Sequence, residues 1–424
     1  MSLFHGEHRV KDRIIPITER RLRPLDGRPL DGGLPKRRGG SSAALPAPWR
    51  LMAAAAACLA VLLAASPAPA SEKEAGAGRD PGPFLAGVDV SHLALFEKRG
   101  KTYKDQGKAR DALEILTSRG VNAVRLRIWT GTSEEAAKDP YNRGNTLEYT
   151  IPLAQRVKKA RLHFLLDFHY SDSWADPGTQ KKPETWKDLP FDALQQRMFE
   201  YNRDVIAALK RAGAMPDAVQ VGNEITPGML WPDGRVGGPS DTPEQWARLG
   251  DLLKAAIRGI REAAGTQPPK IMIHIDRGGS WGVTQWFFDH LRDQKVEYDI
   301  LGESYYPFWH GTLEDLRTCL TNAAARYGKE VVVVETAFPW EEPGGKPVAG
   351  IEPGPEGQCR FVEALGRIVK EVPGGKGRGI YWWAAEFVPS DGLNLAGFER
   401  RSFFDRDGNA LPVIEAFGKL ARGR

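Results

Sequence analysis

"AVQVGNEITPGMLWP", residues 218–232, begins as a buried strand and then departs from one. Ala218, Val219 and Val221 suit a parallel strand covered on both faces. Gly222, Asn223 and Glu224 follow at once, a glycine, an amide and a carboxylate where the apolar run ends. A charge aimed out of the end of a core strand has a purpose if that strand belongs to a barrel. There, catalytic side chains project from the C-terminal strand ends, where the βα loops form a mouth.

The rest of the chain repeats the pattern. Short apolar runs rich in β-branched residues alternate with amphipathic stretches, as in parallel strands joined by crossover helices. Strands are expected at 84–90, 123–129, 163–170, 218–225, 270–276, 298–306, 330–338 and 379–387. Between them lie segments such as "KARDALEILTSRG", "PEQWARLGDLLKAAIRGIREAAG" and "EGQCRFVEALGRIVKEV". Several end at glycine, the usual left-handed helix stop. Eight such units, with no Gly-rich nucleotide fingerprint after the first strand, indicate a single (β/α)8 TIM barrel over residues 84–421 rather than an open sheet.

Ahead of the barrel lies a different kind of chain. Residues 1–70 carry a net charge of +6 within a whole-chain value of +5, so residues 71–424 stand at −1. The folded part is nearly neutral and offers no footprint for nucleic acid. "LMAAAAACLAVLLAAS" (51–66) is apolar, follows Arg37, Arg38 and Arg50, and precedes the small residues of "PAPA". Basic, apolar, small is the order of a secretory signal, and the run is short for a membrane span. Residues 1–70 are therefore expected to be a disordered basic extension plus a signal segment, and 71–83 a linker. A secreted or periplasmic monomer, with no stable membrane association once the signal is cleaved, is the expectation. Cys319 and Cys359 remain in the mature chain, and their spacing does not decide whether they pair.

Polar residues gather at the C-terminal end of each expected strand. In order they are Asp89; Arg125 and Arg127; Asp167 and His169; Asn223 and Glu224; His274 and Asp276; Tyr305 and Tyr306; Glu335; and Trp382 and Trp383. Two carboxylates, Glu224 and Glu335, end strands four and seven and face each other across the mouth. Paired carboxyl groups flanking a bond are the equipment of glycoside hydrolysis, one as acid and the other as nucleophile. Four valines before Glu335 make it costly to bury unless a partner holds it. Arg125 or Arg127, with Tyr305 or Tyr306, is expected to do so, Arg125 being the deeper arginine. Trp174, Trp231, Trp309, Trp382 and Trp383 supply aromatic faces on which sugars stack.

"GVDVSHLALFEKRG", "LLDFHYSDSWADPGTQKKPETW", "VQVGNEITPGMLWPDG", "SYYPFWHGTLEDL" and "VVVVETAFPW" together resemble glycoside hydrolase family 53, the endo-β-1,4-galactanases, from about residue 84 to 410. The resemblance implies a retaining barrel hydrolase of pectic β-1,4-galactan, with Glu224 as acid/base and Glu335 as nucleophile and no cofactor required. Two stretches depart from the family pattern. Glu303 in "LGESYYP" brings a third carboxylate towards the mouth, and "YWWAAEFVPS" rebuilds the platform at strand eight. Some bacterial members bind calcium near the acids of "EEPGGKPVAGIEPGPEGQ" (341–358), although no dense oxygen-ligand pattern accompanies them here. Another β-1,4-glycan, mannan or glucan, is the nearest alternative substrate. Rival readings are a metal-dependent hydrolase using Asp167, His169 and His274, and a barrel that binds glycan without cutting it.

Overall fold

The computed structural model describes residues 82–132, 144–342 and 347–422. The signal-like segment, most of the linker and residues 343–346 of the acidic stretch lie outside the described residues. Eight parallel strands form a closed barrel: β1 (Leu85–Asp89), β2 (Ala123–Ile128), β3 (His163–Phe168), β4 (Ala218–Val221), β5 (Lys270–Ile275), β6 (Ile300–Ser304), β7 (Glu330–Thr336) and β8 (Gly377–Trp382). Each strand pairs with the next in sequence, and β8 closes onto β1. The fold read from the periodicity is the one observed. The outer layer is made of α1 (Ala112–Ser118), α2 (Leu147–Lys159), α3 (Phe191–Arg211), α4 (Pro243–Ala264), α5 (Trp281–Asp293), α6 (Leu313–Tyr327), α7 (Pro355–Lys370) and α8 (Val413–Arg422). Among the described residues no helix is long and apolar enough to cross a membrane.

Local chemistry sets the helix ends. Thr146, Thr242 and Thr312 each accept a backbone N–H of the first turn, and Thr312 with Asp315 completes a reciprocal capping box. Gly328 stops α6 in the left-handed conformation, as the sequence signal implied.

Inside the barrel, side chains stack in layers. Ala123, Leu165, Ala218, Met272, Ile300, Val332, Val334 and Tyr381 form the apolar floor. Gly87 on β1 makes room for the Tyr381 ring, since a Cβ there would lie 2.3 Å from it. The strands are shorter than their apolar runs, because ladder pairing stops where the chain must turn to deliver the mouth residues. After β4, Gly222 (φ 88°) and Glu224 (φ 47°) leave the strand through left-handed backbone. For Glu224 that conformation is a local strain of order 1 kcal/mol or more, retained at the position where the sequence places the acid.

β7 holds a second departure. Strict alternation in "VVVVE" would put Glu335 on the side of Val331 and Val333, which pack outwards against the helices. The register of β7 slips against both neighbours, Glu303 pairing with Val333 but Ser304 with Glu335 on one side, and Val333 giving way to Thr336 on the other. The extra residue is a β-bulge, and it turns Glu335 to the inner side with Val332 and Val334.

Candidate active site

Above the apolar floor lies a buried ionic layer centred on Arg125. Its Nη1 donates to Asp89 Oδ2 (2.9 Å), and its Nη2 donates to Asp167 Oδ2 (2.8 Å) and Asn223 Oδ1 (2.9 Å). Nη2 also pairs with Glu335 Oε1 at 2.8 Å, while Nε donates to Gln220 Oε1 at 3.1 Å. One guanidinium thus meets three carboxylates in a dry site, where an unpaired charge would cost several kcal/mol. Burial works against charge on Arg125, but Asp167, Glu335 and Asp89 outweigh it and push its pKa further up. The cation is permanent.

Glu335 sits on this layer. Tyr306, on the loop after β6, donates its hydroxyl to Glu335 Oε2 at 3.1 Å. Tyr305, the alternative, donates its hydroxyl to Gly311 O instead. Burial pushes the Glu335 pKa up to about 7, against the pull of Arg125 and the Tyr306 hydrogen bond. Glu224 is raised well above the ordinary range, first by burial and then by the charges of Glu335 and Asp276. No arginine or lysine pairs with Glu224 among the described residues. The pair therefore loses its first proton from Glu335 and keeps the other on Glu224. Ser304 shows how close the two groups are, since it is the register partner of Glu335 and donates to Glu224 Oε1 at 2.7 Å.

The other expected site residues divide into supports and walls. Asp89, Arg125, Asp167 and His274 are all 2% exposed or less and present no surface to a ligand, so substrate contact is the wrong role for them. His169 accepts the Ala175 N–H at Nδ1 (3.0 Å) and pairs through Nε2 with Asp167 at 3.0 Å. Arg127 reaches His92 and lies 4.2 Å under the Trp174 ring, so its part is to hold that ring. Asn223 donates to Ala175 O (2.9 Å) while its oxygen receives Arg125, so its second amide N–H is uncommitted among the described residues. Asp276 is held by the Thr226 hydroxyl beside Glu224.

Among the tryptophans, Trp174 and Trp383 meet edge to face at 6.0 Å and form one wall. Trp309 forms another; it is 50% exposed and packs 5.2 Å from Tyr306, the tyrosine on Glu335. Trp231 lies on a loop tied back to Asn223 through Gln180. Trp382 is a correction. Strand alternation turns it outwards into the helix layer, where it packs on Phe403 and Phe417 with Nε1 donating to Arg401 O. Glu303 is a second correction, because it too points outwards. It is fully buried, accepts from Thr284 Oγ1 (2.8 Å) and Arg277 N (3.1 Å), and does not reach the mouth.

Reading the sequence missed Gln220, Ser304 and Gln180. A signal for the first existed: Gln220 breaks "AVQV" at an inward position, where an apolar residue would otherwise continue the floor. The metal reading does not fit the geometry. Asp167, His169 and His274 are already engaged with protein partners, and the Arg125 guanidinium touching Asp167 would repel a divalent cation. Cys319 and Cys359 are both free thiols.

Residues 85–417 match the family described as glycosyl hydrolase family 53. An uncharacterised protein from the bgaB 5′ region of Niallia circulans is 46% identical over 72% of this chain and 85% of its own length. An arabinogalactan endo-β-1,4-galactanase of Thermothelomyces thermophilus is 34% identical over 79% of this chain and 98% of its own. The solved catalytic domain of a family 53 glycoside hydrolase from Ignisphaera aggregans superposes with a TM-score of 0.71 at 32% identity, covering 79% of this chain and 95% of that one.

Proposed function

The chain belongs to glycosyl hydrolase family 53, and on that footing we propose that it is a secreted, retaining endo-hydrolase of β-1,4-galactan, with Glu335 as nucleophile and Glu224 as acid/base. One observation carries this reading: Glu335 is held by a buried arginine and a tyrosine hydroxyl, while no cation among the described residues pairs with its partner Glu224. In the first step Glu335 attacks the anomeric carbon as the proton of Glu224 passes to the departing glycosidic oxygen. The resulting glycosyl ester is then cleaved by water, whose proton Glu224 takes back. The second amide N–H of Asn223, the residue before the acid/base, suits a sugar hydroxyl next to the reacting bond. Trp174, Trp383 and Trp309 give the chain of sugar rings its stacking faces.

No cofactor enters this chemistry, and a single polypeptide carries every group it needs. The near-neutral charge of residues 71–424 suits an uncharged polysaccharide. The test is product analysis on galactan, arabinogalactan, mannan and cellulose, with the anomer of the first product read by proton NMR. Release of β-configured galacto-oligosaccharides of several lengths is expected. Activity confined to cellulose or mannan, release of single sugars only, or an α-configured first product would overturn the corresponding part of the reading.

A further inference from the structure

Two side chains below Glu224 form a hydrogen-bond chain whose direction follows from the backbone N–H of Glu224. Gln220 Oε1 receives Arg125 Nε, which can only donate, so the other end of that amide is the NH2 group. This NH2 is shared among Asp167 Oδ1 (2.5 Å), Gly222 O (3.1 Å) and His274 Nδ1 (3.0 Å), and the backbone N–H of Glu224 points at the same ring nitrogen at 3.3 Å. Asn223 Oδ1 also lies 3.1 Å from Nδ1 but already receives Arg125 Nη2, and a proton on Nδ1 would face the Glu224 N–H; the backbone N–H aimed at this nitrogen makes it the acceptor. Burial, reinforced by the charge of Arg125, lowers the His274 pKa well below its ordinary value, so the ring is neutral and its proton sits on Nε2. Nε2 lies 2.8 Å from Ser304 Oγ, which uses its own single hydrogen on Glu224 Oε1 at 2.7 Å.

We infer that Ser304, oriented by His274, is a positioning residue that keeps Glu224 Oε1 an acceptor in both protonation states, leaving Oε2 as the oxygen that carries the catalytic proton. The inference rests on the proposed role of Glu224 as acid/base. With Oε1 occupied by an O–H donor, a proton there would face another proton, whereas no donor among the described residues reaches Oε2. The same bond stabilises the ionised form of Glu224 and so opposes the groups that raise its pKa, namely burial, Glu335 on β7, Asp276 after β5 and Asp176 after β3. Around His274 the charged or titratable neighbours are Arg125, Asp167, His169 and His310. Both Ser304 and His274 are fully buried, so neither role is replaced by water at the surface.

The test compares the wild type with Ser304→Ala, Ser304→Cys and Ser304→Thr on galactan and on a dinitrophenyl β-galactobioside. Losing the donor should move the alkaline limb of kcat/KM up by about one pH unit. It should lower kcat on galactan by about tenfold or more, while the aryl substrate, whose leaving group needs no proton, keeps wild-type formation of the glycosyl-enzyme. Cysteine, nearly the same shape but a weak donor, should behave like alanine and covers the case in which Ser304→Ala does not fold. Threonine, which retains the hydroxyl, should restore the wild-type limb. An unmoved alkaline limb in Ser304→Cys, or an equal loss on both substrates, would overturn the inference. Failure of the underlying reading would look different, because Glu224→Gln would then retain turnover on galactan.

Discussion

Replacing Arg125 with lysine keeps the charge and removes the planar fork. In the wild type this side chain donates to Gln220, Asp89, Asp167 and Asn223 and pairs with Glu335. A lysine has three donors on one nitrogen, so at least two of these five contacts are lost. A hydrogen bond to a charged group contributes about 1.5–3 kcal/mol. If the Glu335 contact is among those lost, kcat/KM on galactan should fall roughly 10- to 150-fold. The pH profile supplies the specific readout. Arg125 lowers the pKa of Glu335 from what burial alone would impose, and the group stands at about 7. Weakening that contact raises the pKa, so the acidic limb of kcat/KM should move to higher pH by about one unit. Arg125→Met is the contrasting variant. It leaves Asp167 and Glu335 without an arginine and Asp89 with only the longer contact to Arg127 (3.7 Å), and should cost about 3–5 kcal/mol of stability, read as a drop in Tm that Arg125→Lys largely avoids. Wild-type turnover with an unmoved acidic limb in Arg125→Lys would refute the role assigned to the guanidinium.

The two glutamates should separate by leaving group. Glu335→Ala is expected to be inactive on every substrate, whereas Glu224→Ala should form the glycosyl-enzyme from a dinitrophenyl glycoside and be turned over faster with azide, giving a β-glycosyl azide; a dead enzyme there, or an α-azide, would count against the assignment. Glu386 is buried, with its pKa raised to about 8 by burial and then by Asp89. The folded state holds that proton longer than the unfolded chain, so stability should decline as pH rises from about 4.5 through about 8. Glu386→Gln should flatten that decline by up to a few kcal/mol, and an unchanged Tm-versus-pH slope would show the charge is tolerated. Trp382→Ala should lower Tm by roughly 5–10 °C, whereas Trp309→Ala should raise KM for galactan and leave Tm alone. The reverse pattern would exchange the two roles.

Much of this protein is visible in its sequence because the signals are local. The eight strands and their helices follow from short β-branched apolar runs alternating with amphipathic stretches and from glycine stops. The carboxylates at the ends of "AVQVGNE" and "VVVVE" identify themselves because nothing in those apolar runs pairs with them. Residues 84–90 and 298–306 were also recognisable as strands, and Asp89 as an inward residue of the first. What the sequence could not determine is which side each residue of an irregular strand end faces. Alternation alone would send Glu335 outwards; the bulge that turns it inwards depends on slips against β6 and β8, two strands elsewhere in the chain. Alternation without a bulge sends Glu303 and Trp382 into the helix layer, although both stand next to residues of the mouth. The same holds for the role of Gln220, Ser304 and His274, which are joined into one hydrogen-bonded support only when β4, β5 and β6 lie side by side. Local periodicity is carried by neighbours along the chain, whereas register, bulges and buried polar contacts are set by pairing between strands that only the closed barrel brings together.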